Sequence, residues 1–138
     1  MRPVSSVMTA VPVTLQESDK LTTAARTMRD NSIGAVMVTR DRRLSGLLTD
    51  RDIVTRVLAA GSDPAQVAVG EVCTRDLVTV RPGDDLSVAV QVMREHAVRR
   101  VPVVEDGRPA GLVSIGDLAV QDGQEFSLGD IFAVLPRP

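Results

Sequence analysis

Gly46-Leu47-Leu48-Thr49-Asp50-Arg51-Asp52 and, sixty-five positions later, Gly111-Leu112-Val113-Ser114-Ile115-Gly116-Asp117 share one order of residues: glycine, two apolar residues, a hydroxyl, two variable residues, aspartate. An aliphatic run ending in Ser or Thr, with a carboxylate three residues on, predicts a strand that passes into a helix through a reciprocal capping box. The two side chains then stand where unpaired backbone N–H groups and the positive end of the helix dipole gather, a place suited to a sugar hydroxyl or a phosphate. One such motif would be read as a helix start and nothing more. Two copies in register ask for a larger explanation.

The offset holds along the chain. Val7, Thr9, Val13, Thr14, Asp19, Leu21, Ala24, Met28, Arg29, Val36, Val38, Asp41, Arg43, Gly46, Leu47 and Asp52 each meet an identical residue 65 positions on, with no gap. This is an internal repeat. Each copy begins with a short apolar turn, Val4 to Met8 or Val69 to Cys73, followed by a strand-like piece at Val13-Thr14-Leu15 or Val78-Thr79-Val80. Leu21, Ala24, Ala25 and Met28, like Leu86, Ala89, Val90 and Met93, have the i, i+3, i+4, i+7 spacing of one buried helix face. Asp19 and Asp84 stand where a helix N-cap or first-turn acid is expected. Two apolar β runs follow in each copy, flanking polar turns at Arg40 to Arg43 and Glu105 to Arg108, and predict hairpins. After the first motif, Ile53, Val54, Val57 and Leu58 continue a helix to Gly61.

The expected fold is therefore α/β (α+β): two repeats of strand, helix, strand, strand, helix, packed about an approximate twofold. We place repeat 1 at 3–61, a linker and turn at 62–71, repeat 2 at 72–121 and a helical tail at 122–138.

Composition narrows the function. With 138 residues, 43% of them apolar, the chain can bury a real core. A net charge of -2, no long Lys/Arg run and no Trp or Tyr argue against a nucleic-acid surface. No apolar stretch has the ~18 residues of a membrane helix, and the N-terminus lacks a signal-peptide core, so we expect a cytoplasmic protein without membrane partners. One cysteine, Cys73, and one histidine, His96, make neither an internal disulfide nor a Cys/His metal cluster. Cys73 takes the place of Met8 in the first copy and reads as a buried hydrophobe. There is no phosphate loop, nucleophile elbow or metal-ligand spacing, so no catalytic residue is expected.

The tandem repeat, the paired GLLTDRD-type motifs and the segment His96-Ala97-Val98-Arg99-Arg100-Val101-Pro102-Val103-Val104 resemble a pair of CBS domains, the adenosine-responsive Bateman module. The stretch Leu48 to Gly61 is similar to stand-alone CBS pairs of the hypoxic-response type, a stress-response class. The resemblance implies a non-catalytic regulatory fold with two clefts for AMP, ADP, ATP or S-adenosylmethionine. It implies one cleft formed by Thr49, Arg51 and Asp52 with Thr74, Thr79, Arg99 and Arg100, and another formed by Ser114 and Asp117 with Thr9 and Thr14. It also implies a homodimer that acts on an effector protein in trans. The alternative from another class is a ligand-free structural or interaction dimer, in which the motifs are helix caps only.

Overall fold

Residues 2–10 and 13–120 are described by a computed structural model. A 3-10 turn at Val4–Ser6 precedes β1 (Thr9–Ala10) and β2 (Thr14–Gln16), and α1 (Leu21–Asn31) leads to the hairpin of β3 (Ala35–Arg40) and β4 (Arg43–Thr49). The short α2 (Asp50–Asp52) runs on as a π-helix over Ile53–Leu58. A 3-10 turn at Pro64–Gln66 and α3 (Val69–Val72) follow, then α4 (Leu86–His96), the hairpin of β5 (Arg100–Glu105) and β6 (Arg108–Ser114), and α5 (Ile115–Val120).

These elements sort into two units that do not coincide with the sequence repeats. One is contiguous, Val13–Leu77; the other joins residues 2–10 to residues 78–120. The opening segment of each repeat is thus built into the unit that holds the other repeat's hairpin.

In the contiguous unit β2 runs parallel to β3, and β3 antiparallel to β4, in the order β2-β3-β4. The spacing of Leu21, Ala24 and Met28 puts one face of α1 into a core with Leu15, Val36, Val38, Leu48, Val57, Val69 and Cys73. In the split unit the order is β1-β6-β5, and Leu86, Ala89, Val90 and Met93 of α4 pack with Val4, Val80, Val101, Val103, Val113 and Leu118. Each large aliphatic side chain buried in this way contributes about 1.5–3 kcal/mol. The strand expected at Val78 to Val80 contracts to one parallel bridge, Val80 to Val103, on the β5 edge of that sheet, while β1 lies on the β6 edge.

Equivalent hydrogen bonds fasten the exchanged segments. In the contiguous unit Leu21 N–H donates to Val67 O (3.0 Å), Val69 N–H to Asp19 O (2.7 Å) and Gly70 N–H to Glu17 O (2.9 Å). In the split unit the same places are filled by Leu86 N–H to Arg2 O (3.0 Å), Val4 N–H to Asp84 O (2.7 Å) and Ser5 N–H to Pro82 O (3.0 Å).

Two expectations change. Asp19 and Asp84 do not cap helices: their carboxylates accept from Gln16 N–H and Arg81 N–H (2.8 Å each), closing the turns before α1 and α4. The cap of α4 is Asp85, which accepts from Ser87 N–H (3.2 Å), whereas Lys20 at the start of α1 makes no side-chain cap. The helix after the first motif is π rather than α, and along it Val57 is buried while Val54 and Leu58 are each 55% exposed. Cys73 is buried and His96 is exposed at the last residue of α4. The helical tail expected at 122–138 lies outside the described residues. No helix among the described residues is long and apolar enough to cross a membrane.

Candidate functional site

Both motifs end as capping boxes. Thr49 N–H donates to Asp52 Oδ2 (3.0 Å) and Asp52 N–H donates to Thr49 Oγ1 (3.1 Å). Ser114 N–H donates to Asp117 Oδ2 (2.8 Å) and Asp117 N–H to Ser114 Oγ (3.1 Å). Each cap uses one carboxylate oxygen and one hydroxyl lone pair. The second carboxylate oxygen and the hydroxyl proton are left over, so a helix start and a ligand grip are compatible uses of the same four side chains.

The glycine of each motif has a steric reason. A Cβ on Gly46 would lie 2.6 Å from Cys73 Sγ and 3.1 Å from Thr74 O, and one on Gly111 would lie 2.6 Å from Met8 Sδ and 2.7 Å from Thr9 O. The opening segments pass directly over these glycines: Leu47 and Thr74 exchange two backbone bonds of 2.9 Å, and Thr9 is the register partner of Leu112. Thr74 therefore lies beside the strand that ends in Thr49, and Thr9 beside the strand that ends in Ser114.

Burial raises the pKa of the Cys73 thiol, which suits its packing role beside Gly46. Just below it, Arg75 bonds to Glu17 and donates to Gly70 O (2.8 Å). The hydrogen bond from Arg75 holds the Glu17 carboxyl below its ordinary value, and Glu17 raises Arg75 in return.

The residues grouped with Asp52 from sequence divide between the units. Thr49, Arg51 and Thr74 share its unit, with Arg51 exposed on α2. Thr79, Arg99 and Arg100 belong to the split unit. There Arg100 is the register partner of Ser114, and Ile115 N–H donates to Arg99 O (2.9 Å). Directly opposed residues of an antiparallel pair share a face with Cβ atoms ~5 Å apart, so the Arg100 side chain starts beside the Ser114–Asp117 cap, while Arg99 meets it through its backbone carbonyl. Their counterparts beside the Thr49–Asp52 cap are small: Ala35 is opposite Thr49, and Asp50 N–H donates to Gly34 O (3.0 Å).

Thr79, exposed, instead lines a cavity of ≈ 670 Å³ with Arg81, Asp84, Glu105 and Gly107, at the turn end of the β5–β6 hairpin. Of the residues grouped with Asp117, Thr9 shares its unit while Thr14, exposed on β2, belongs to the contiguous one. One polar neighbour of the first cap was not singled out from sequence. Arg56, four residues after Asp52, has its Nε 3.7 Å from Asp52 Oδ1 and donates from Nη1 to Val72 O (2.8 Å). The i, i+4 spacing was its signal.

Two units, each a small sheet, a covering helix and a hydroxyl–carboxylate cap, define a tandem-repeat α/β module. The CBS domain family model matches residues 4–59 and 69–121, and the chain belongs to that family as a CBS pair, a class of commonly regulatory modules. It is 37% identical over 129 residues to CBS domain-containing protein YhcV of Bacillus subtilis, covering 94% of this chain and 91% of that protein. It is 40% identical over 120 residues to Hypoxic response protein 1 of Mycobacterium tuberculosis, covering 86% and 84%. Its fold matches a crystal structure of Hypoxic Response Protein I with two coordinated zinc ions at a TM-score of 0.77 and 39% identity, covering 88% of this chain and 99% of that one.

Proposed function

We propose that the chain is a regulatory module that binds adenosine-containing ligands at its caps, has no chemistry of its own and acts on a partner protein in trans, in a stress-response setting like that named for its hypoxic-response relative. The observation that supports this most is the carboxylate oxygen that the capping box leaves unused at each cap, which can accept from the hydroxyls of a ribose diol. The caps differ in their neighbours, and we assign ligands accordingly. Arg99 and Arg100 give the Ser114–Asp117 cap guanidinium groups for the phosphates of AMP, ADP or ATP, in charge-assisted bonds of about 1.5–3 kcal/mol each. Gly34 and Ala35 give the Thr49–Asp52 cap none, and its neighbouring guanidinium, Arg56, is engaged with Val72 O and Asp52, so that cap suits adenosine or S-adenosylmethionine rather than a phosphate. This moves the phosphate from Asp52, where the sequence reading had it, to Asp117.

Zinc is outside this proposal. Among the described residues no three His, Cys, Asp or Glu side chains come together in a way that could hold a metal ion.

Thermal denaturation with AMP, ADP, ATP, NAD and S-adenosylmethionine at millimolar level tests the reading. A ligand present at ~100 times its dissociation constant stabilises by about 2.7 kcal/mol, on the order of 6–12 °C for this length. The Arg99→Ala/Arg100→Ala pair is expected to lose most AMP binding and Asp52→Ala to keep it. The reverse result would return the phosphate to Asp52, and no shift with any ligand would favour the ligand-free dimer. Exposed Val54, Leu58 and Val88 further support a homodimer; sedimentation at micromolar concentration is expected to give twice the chain mass.

A further inference from the structure

We propose that Arg56 is a positioning residue for the first cap, tying the carboxylate of Asp52 to the segment that carries Thr74; this rests on the reading of that cap as an adenosyl site. The geometry is a two-ended clamp. Through Nη1 the guanidinium donates to Val72 O (2.8 Å), two residues before Thr74, and through Nε it faces Asp52 Oδ1 at 3.7 Å. Oδ1 is the oxygen that the capping box does not use, since Oδ2 accepts from Thr49 N–H. Arg56 therefore stands beside the one atom of Asp52 available to a ligand. At 3.7 Å it attracts that oxygen without occupying it as a close hydrogen bond would.

The local backbone supports the same role. Asp52 is one of two buried polar residues in the described chain, 9% exposed, so its side chain has little room to reorient. The helix that carries Arg56 is π-helical, with Ala59 N–H donating to Val54 O (2.9 Å), and single π turns in helices concentrate at functional positions. Thr55 Oγ1 also donates to Arg51 O (2.8 Å), a side-chain bond that competes with the helical ladder at this turn. Residue 121, the counterpart of Arg56 in the second repeat, is a glutamine. A clamp of one planar guanidinium reaching two acceptors cannot be reproduced by the single ammonium of lysine.

The role predicts that loss of Arg56 weakens a ligand only where that ligand uses Asp52 Oδ1. The test uses the full chain carrying Asp117→Ala, so that the first cap alone reports, and compares Arg56→Ala and Arg56→Lys against that parent by calorimetric titration with adenosine and with 2′,3′-dideoxyadenosine. Both Arg56 variants are expected to bind adenosine about tenfold more weakly, to bind the dideoxynucleoside as the parent does, and to keep cooperative melting. Equal weakening toward both nucleosides would show a merely structural role and overturn the proposal, as would unchanged adenosine binding. A parent that binds no adenosine would overturn the adenosyl reading of the cap and the clamp with it, whereas parent binding with silent Arg56 variants defeats the clamp alone.

Discussion

In the contiguous unit the exchanged segment is held down by a charged pair, Glu17 with Arg75, where Gly70 lies so close that a Cβ on it would come within 2.8 Å of Glu17 Cβ. In the split unit the matching positions are Pro82, Ala10 and Ser5, and no such pair exists. There Asp85 takes over a different job, accepting from Arg2 N–H (3.2 Å) while capping α4. The backbone bonds at the two joints are equivalent to within about a tenth of an ångström, and Asp19 and Asp84 close the same turn, yet the Glu17–Arg75 pair has no counterpart. The repeat is therefore kept inside this one chain as backbone geometry, apolar burial and the polar bonds that close turns and cap helices, while the fastening between side chains at the joint was free to change as long as each buried N–H kept a partner.

The sharpest way to break that equivalence is at the two motif glycines. Gly111→Ala is expected to destabilise by about 3 kcal/mol and Gly46→Ala by about 2 kcal/mol, as forced overpacking does. The difference arises because the new methyl at 111 meets a backbone carbonyl, Thr9 O, at 2.7 Å, whereas at 46 the worst clash is with Cys73 Sγ. Urea unfolding of the double variants sharpens the point: Cys73→Ala should recover part of the Gly46→Ala loss, and Met8→Ala should leave most of the Gly111→Ala loss in place.

The hairpin tips give a smaller contrast of opposite sign. Both turns hold an aspartate with φ 52°, but the next residue is Arg42 at φ 66° in one and Gly107 at φ 78° in the other. A non-glycine residue in the left-handed region costs about 1–2 kcal/mol. Arg42→Gly should stabilise by about 0.5–1 kcal/mol after the added unfolded-state entropy is subtracted, and Gly107→Ala should destabilise by about 1 kcal/mol; two thermal melts decide between them.

The smallest effect is on pH dependence. Glu17 is held low by its bond from Arg75, and Asp85 by bonds from the Ser87 side chain and backbone. Each folded carboxyl then has a lower pKa than its unfolded form, so the stabilisation is complete above the ordinary carboxylate range, ~4, and is lost as pH falls through the lower folded values. Arg75→Gln should flatten the acid limb of a stability profile between about pH 5 and 2 through Glu17, and Asp85→Asn through the other unit; a limb unchanged in both would remove these groups from the acid response. Raised Cys73 acts at the opposite end: the neutral thiol favours the fold until pH climbs past its ordinary value.

Much of this was legible in the chain because it is local or periodic. The helix faces of Leu21 and Leu86 and both capping boxes are carried by residues within a few positions of one another, and the offset of sixty-five is a period repeated along the chain. The exchange of opening segments was not legible, since Val4 finds Asp84 across eighty residues and no local pattern encodes that choice. Asp19 and Asp84 misled because an acid two residues before a helix can equally close the preceding turn. The neighbour of Arg100 was not recoverable by counting: an unbroken register from the Asp106-Gly107 turn reaches Val113, and only the shift at Val103/Val104 brings Arg100 opposite Ser114. Arg56 was passed over because an arginine on a helix reads as solvated until its carbonyl partner, Val72 O, is seen.

The crossing of the opening segments also bears on how such a chain could arise and how it is made. A single repeat standing alone would lack the segment that here covers the edge of its motif strand, and a second copy would be the nearest source of one. Joining two copies head to tail turns that intermolecular debt into an internal one, met at the high effective concentration of a tether. During synthesis the contiguous unit is complete once Leu77 has emerged, but Val4 must wait for Asp84 and for the strand ending at Ser114 before its half can close. The opening segment is made before the contiguous unit and fixed after it.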